Sequence, residues 1–194
     1  PRYGSSAASD VYKRQVSGSG KDGVEELLQQ SSAYIDQRSI DKKVYPKQIA
    51  FNSIPFVDCF LENNYTREEM KMVWETHKIL DKNISVNPTA VRVPVLVGHA
   101  ESIYVETEKE IDIEIAKNCL NEFAGISVID DVQEVDFPTS FEHGHGTDDV
   151  YVGRIRKGLS KNNSLNLWVV ADNVRKGAAL NSIQIAENLV GSKM

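Results

Sequence analysis

Apolar positions recur along the chain at two periods. Val24, Leu27 and Leu28 follow the loop Val16-Ser17-Gly18-Ser19-Gly20 at helical spacing and predict an amphipathic helix reaching about Tyr34. Thr66-Arg67-Glu68-Glu69 reads as a capping box. Met70, Val73, Trp74, His77 and Leu80 then fall on one helical face, and Glu68, Lys71, Glu75 and Lys78 mostly on another, with an end expected near Asp81 or Lys82. The period then changes to two. Val91, Val93, Val95 and Val97 alternate with other residues, and Pro94 inside this run implies an edge or a bulge. Ile103 and Val105 continue the pattern. Ile113, Ala116, Leu120 and Phe123 predict another helix, with Cys119 on its apolar side as a buried thiol. Ile126–Ile129, Val150–Ile155 and Leu165–Ala171 read as strands, and residues 130–148 as a long loop. Ala179, Ile183, Ala186 and Val190 mark a final helix that begins near Asn173.

This order of elements predicts an α+β fold: a mixed, largely antiparallel sheet with helices packed on one face. Residues 36–50 are polar and read as a connection. Residues 1–15 are small, polar and aperiodic, and are expected to be a disordered tail. The expected divisions are thus 1–15, a main domain over 16–172, and a terminal helix over 173–194.

Composition narrows the function classes. With 41% hydrophobic and 26% charged residues in 194, the chain suits one soluble domain with a real core. A net charge of −6 without a basic cluster argues against nucleic-acid binding. No apolar run approaches the length needed to span a bilayer, so no membrane partner is expected. Two cysteines, Cys59 and Cys119, make no disulfide framework, and no secretory pattern is read at the N-terminus, so a reducing cytoplasm is the expected location.

Residue pattern alone leaves the chemistry open. Gly18-Ser19-Gly20-Lys21 fails as a P-loop because Asp22 stands where Ser or Thr would hold magnesium. Gly18, Gly20 and Gly23 have GxGxxG spacing, but no strand is read ahead of them, so a plain turn is expected. His143 and His145 supply two metal ligands where a site needs three or four, so no metal is expected. His99 lies between two strands after a flexible glycine. Arg92 is a charge in a Val-rich run, which must face solvent or meet an anion. Glu68 and Lys71, one turn apart, form either a surface ion pair or a reader of a zwitterion.

Taken in order, several segments resemble aspartate-semialdehyde dehydrogenase: Tyr65-Thr66-Arg67-Glu68-Glu69-Met70-Lys71-Met72, Arg92-Val93-Pro94-Val95, Gly98-His99-Ala100-Glu101-Ser102, Val152-Gly153-Arg154, Trp168-Val169-Val170-Ala171-Asp172-Asn173 and Lys176 through Glu187. The likeness runs from about Val16 to Leu189. It implies the C-terminal catalytic and dimerisation portion of an NADP-dependent enzyme, with the last helix returning to an N-terminal Rossmann domain. The implied chemistry is thiolate attack on a carbonyl, proton movement by a histidine, hydride exchange with NADP and phosphate exchange with a thioester. The overall result is conversion of L-aspartyl 4-phosphate to L-aspartate 4-semialdehyde in lysine, threonine and methionine biosynthesis. Carried over by motif, His99 is the general acid/base with a proton affinity near neutrality. Arg92 grips the substrate carboxylate, Glu68 meets its amine and Lys71 the phosphate. Ser17, Gly18 and Asn173 contact NADP. A homodimer is implied.

Two features depart from the family pattern. The nucleophile's Asn-Cys-Ser/Thr-Thr context is missing, and Asn118-Cys119-Leu120 does not replace it. Arg14 stands in the register of the family's Gln in Tyr-Gln-x-Val-Ser-Gly, with Gln15 one place late. Residues 1–15 are therefore expected to be foreign, from a truncated or misassembled reading frame. The chain alone is expected to lack dehydrogenase activity and to expose an apolar stripe on its last helix. Other readings are a non-catalytic dimerisation module or a related acyl-phosphate reductase.

Overall fold

Residues 5–191 are described by a computed structural model. The predicted tail at 1–4 and the end of the predicted last helix at 192–194 lie outside the described residues. Ser5–Arg14 (β1) is a strand, not a disordered tail. It pairs in parallel with Ser85–Arg92 (β2) and antiparallel with His99–Thr107 (β3). Its pattern hid it: Ala8, Asp10, Tyr12 and Arg14 line a hollow, so that face is polar. The sheet continues from β3 through Ser164–Ala171 (β6) and Val150–Lys157 (β5) to Ile126–Val128 (β4), giving the order β2-β1-β3-β6-β5-β4. Its middle is antiparallel and its two outer pairs are parallel, which makes it mixed. The Val-rich run does not stay a strand to Val97. β2 ends at Arg92, and residues 93–98, with Pro94 among them, form an irregular link because proline cannot donate to a ladder.

Gly20–Ile35 (α1) follows a 3₁₀ turn over Val16–Ser19, so a strand does precede the glycine loop, against the sequence expectation. Val16, Leu27, Tyr45, Ile49, Ala50 and Ile54 form a buried cluster under this helix. Two buried polar side chains tie the 36–50 connection to it. Glu26 accepts the N–H groups of Lys43, Val44 and Tyr45, while Gln30 Oε1 accepts those of Ile49 and Ala50. Arg67–Ile79 (α2) packs on β2. Ile113–Asn121 (α3) lies against β4 and β5 and is capped by Asp112. Cys119 is exposed rather than buried. The loop 130–148 contains a π turn at Ser140–Gly144, and another at Arg175–Ala179 leads into Leu180–Gly191 (α4).

α2 keeps only part of its expected orientation: Met70, Val73 and His77 are half-buried and Lys71, Glu75 and Lys78 exposed, as the periodicity predicts, but the deepest positions are not the apolar ones. Its buried residues are Glu68 and Glu69, whereas Trp74 and Leu80 are exposed. The capping box explains this. Thr66 Oγ1 accepts the Glu69 N–H and Glu69 Oε2 accepts the Thr66 N–H, while Glu69 Oε1 also accepts the N–H of Ala90 on β2. The buried carboxylate thus bolts the start of the helix to the sheet, and the two bonds it accepts are charge-assisted.

Candidate functional site

The ends of β1 and β3, the start of α2 and the segment after β6 surround one hollow of about 1040 Å³. Of the sequence-predicted residues, Ser17, Gly18, Glu68, Lys71, His99 and Asn173 line it. Arg92 does not. It is buried behind the Val16–Ser19 turn, where its Nη1 donates to the Gln15 carbonyl at 2.7 Å and its guanidinium lies over the Tyr45 ring. Its backbone is held by reciprocal hydrogen bonds with Ile54. A Cβ at Gly18 would stand 3.1 Å from Arg92 Nη1, so the turn sits close on the guanidinium.

His99 opens β3. Gly98 before it has φ +81, and a Cβ there would come within 2.7 Å of the Ser140 carbonyl oxygen, so both conformation and space require glycine. The His99 ring meets Tyr12 edge-on at 5.0 Å and places Nδ1 2.5 Å from Gln15 Oε1. Burial pushes the imidazole down to about 4, and the Arg14 and Arg92 guanidiniums add to the effect against a weaker pull from Asp172. The expected proton affinity near neutrality is thus corrected: in this setting His99 is uncharged at neutral pH.

Glu68 pairs with Arg14, and with Lys71 Nζ at 3.5 Å. The Arg14 pairing was not legible in sequence because β1 itself was not. Asp10 and Glu101 lie on the same face, and burial raises both carboxyl groups. Asp10 reaches about 7, with Glu101 adding to the rise and Lys13 opposing it. Asp172, nearly buried, would also rise from burial. The N–H groups of Arg175, Gly146 and Val174, with His145 nearby, outweigh this and hold it below the usual carboxylate range. Asn173 Oδ1 accepts the Gly98 N–H at 3.2 Å and the Ser17 hydroxyl at 3.4 Å. Gln15, Arg14, Tyr12, Glu101 and Asp172 are therefore site residues that sequence reasoning did not select.

His143 and His145 do not converge. His143 Nδ1 accepts the Thr139 N–H, and His145 lies 3.7 Å from Asp172. Among the described residues no group of three or more His, Cys, Asp or Glu could hold a metal ion. Neither Cys59 nor Cys119 lines the hollow.

Residues 5–176 match the model of the semialdehyde dehydrogenase dimerisation domain. The chain belongs to that family. An aspartate-semialdehyde dehydrogenase of Shewanella violacea is 52% identical over 189 residues, which cover 97% of this chain and 55% of that protein. One from Bacillus subtilis is 44% identical over 183 residues, covering 90% and 53%. The crystal structure of aspartate semialdehyde dehydrogenase II of Vibrio cholerae complexed with ASA superposes with a TM-score of 0.94 at 47% identity, covering 99% of this chain and 56% of that one. The chain therefore spans about half the length of the relatives it matches. The matched region takes in β1, so likeness to the semialdehyde dehydrogenase family extends ahead of Val16, where the motif-based likeness begins.

Proposed function

We propose that this chain supplies the substrate-binding and proton-transfer half of an NADP-dependent aspartate-semialdehyde dehydrogenase of the cytoplasm, and that it acts as a homodimer. The single observation carrying this reading is the hollow where His99, Glu68 and Lys71 meet Ser17, Gly18 and Asn173. An amino-acid semialdehyde carries an ammonium, a carboxylate and a reacting carbonyl. Glu68 meets the ammonium, and Lys71 at the rim meets the phosphate that enters or leaves. Arg92, assigned to the carboxylate by its motif, lies behind the Val16–Ser19 turn and off the hollow, so it reaches the carboxylate only when that turn moves. His99, uncharged and largely out of water, takes and returns the proton of the reacting oxygen.

Ser17, Gly18 and Asn173 form one small, polar wall, with Lys176 also on the hollow, which fits the nicotinamide end of NADP. NADP, when bound, supplies the hydride donor or acceptor. The Ser17 and Gly18 N–H groups are already committed to the carbonyls of Leu96 and Gln15, and the Ser17 carbonyl accepts the Gly20 N–H, so the backbone of this turn has little left to offer the cofactor but its close-fitting surface. No thiol lines the hollow, so a nucleophile comes from a segment outside these 194 residues.

Titration of the ¹⁵N-labelled chain with L-aspartate 4-semialdehyde tests the reading. Amide shifts are expected around Glu68, Lys71 and His99, with no NADPH formed when NADP and phosphate are added. An Arg14→Gln variant, which removes the cation competing for Glu68, should bind the semialdehyde several-fold tighter. Shifts confined to other surfaces, or NADP reduction by the chain alone, would refute the proposal.

A further inference from the structure

The hydrogen bonds around His99 form a directed chain whose polarity can be read from one end. A backbone N–H can only donate, and the Gly98 N–H meets the Asn173 carboxamide at Oδ1, 3.2 Å away. That oxygen is therefore an acceptor. Ser17 Oγ lies 3.4 Å from the same oxygen, so the hydroxyl hydrogen goes to Asn173 and leaves Ser17 Oγ as an acceptor. Gln15 Nε2, 3.1 Å from Ser17 Oγ, donates to it. This orients the Gln15 amide and turns Oε1 toward His99. An amide oxygen carries no proton, so the nitrogen facing it must.

We infer that this chain, running from the Gly98 N–H through Asn173, Ser17 and Gln15, holds His99 as the Nδ1–H tautomer and leaves Nε2 as the lone-pair nitrogen. Gln15, Ser17 and Asn173 are then positioning residues. Gln15 is fully buried and cannot trade its partners for water, so reversing any one bond would leave two donors or two acceptors face to face. The relay also ties the His99 tautomer to the start of the segment leading into α4, because Asn173 belongs to that segment while Gln15 and Ser17 belong to the turn after β1. Tyr12, edge-on to the ring, further restricts its rotation.

The tautomer follows from hydrogen-bond polarity alone. Its use in proton transfer rests on the role proposed above for His99. The experiment is long-range ¹H–¹⁵N correlation NMR of the histidine side chains in the 194-residue chain at neutral pH, with His99 assigned by loss of its signals in His99→Gln. The expected result is a protonated Nδ1 and an unprotonated Nε2. Ser17→Ala removes a single hydroxyl and frees the Gln15 amide to flip, so the two nitrogen shifts should move toward each other as the tautomers mix. Gln15→Leu removes the acceptor at Nδ1 and should lose the parent pattern. A parent spectrum showing Nε2–H overturns the inference, as does a Ser17→Ala spectrum identical to the parent's. The semialdehyde titration can fail while this pattern stands, so the two readings fail separately.

Discussion

Asp10 and His99 share one hollow, yet their proton affinities move in opposite directions for the same physical reason. Burial disfavours the charged form of each, lifting the acid to about 7 and lowering the imidazole to about 4. The linkage signs follow. Between pH 4 and 6.5 the unfolded chain protonates His99 and the folded chain does not, so acidification costs stability through this group. Between pH 3.8 and 7 the folded chain holds a proton on Asp10 that the unfolded chain has lost, so acidification adds stability through this one. At the far end of its window the imidazole is worth about 3 kcal/mol and the carboxyl about 4 kcal/mol. The two oppose each other in the parent and separate in variants. Relative to the parent, His99→Gln should gain thermal stability as pH falls from 7 to 4.5. Over the same range Asp10→Asn should lose it, while being the more stable protein at pH 8. Melting temperatures of the three proteins across this range check it, and parallel curves would show that neither carboxyl nor imidazole is displaced. Arg14 is part of the same balance. It neutralises Glu68, yet its Nε is buried without a partner.

Elements with a private local signal were legible in sequence, and those defined by partners were not. Thr66 and Glu69 marked the start of α2 because capping is a contact between near neighbours. Asp112 did the same for α3, although the sequence reading had used only its apolar spacing. β1 has no such signal. Its identity comes from β2 and β3 on either side, and the side chains on one of its faces serve a polar hollow. The motif residues His99, Glu68, Lys71, Ser17, Gly18 and Asn173 could be given roles from sequence, whereas Arg14 and Gln15 stood out only as a displaced family register, and their contacts with Glu68 and His99 depend on where β1 ends. The buried acid of α2 escaped for a related reason, because helical periodicity assigns burial to apolar residues and cannot foresee a carboxylate bonded to a strand. That bond gives a graded prediction. Thr66→Ala loses one cap and should cost about 1 kcal/mol. Glu69→Ala leaves the N–H groups of Thr66 and Ala90 buried and unpaired, and should cost roughly 2–4 kcal/mol. Urea unfolding of the two variants should rank them in that order. Equal costs would mean the Glu69–Ala90 link contributes nothing.

At the scale of the whole molecule, two surfaces are left without full cover, an apolar stripe on α4 and a sheet face of mixed polarity. α4 buries none of its residues, and Ile183, Ile185, Leu189 and Val190 are exposed on it. The central strands β1, β3 and β6 are only partly covered, because α2 and α3 pack on the flanking strands β2, β4 and β5. On the face opposite the hollow, Val11 pairs with Ser102 and Ser102 with Trp168, and Val11 is exposed in the middle of the sheet. The interior strands of a six-stranded sheet normally lie under a second layer, since an uncovered face forgoes apolar burial of roughly 25 cal/mol per Å². Under the proposed function a second copy applied through a two-fold axis would supply that layer, in keeping with the match to a dimerisation domain. Under the same proposal the α4 stripe would face the nucleotide-binding domain and not the second copy. The two surfaces should therefore separate experimentally. In sedimentation equilibrium the chain is expected at twice its 21.7 kDa mass. Ser102→Lys sets a charge on the sheet face and should shift it to monomer. Ile183→Lys with Leu189→Lys should suppress larger aggregates and leave the dimer intact. A chain that stays dimeric with Ser102→Lys and becomes monomeric with the α4 substitutions would place the self-contact on the helix and leave the sheet face to another partner.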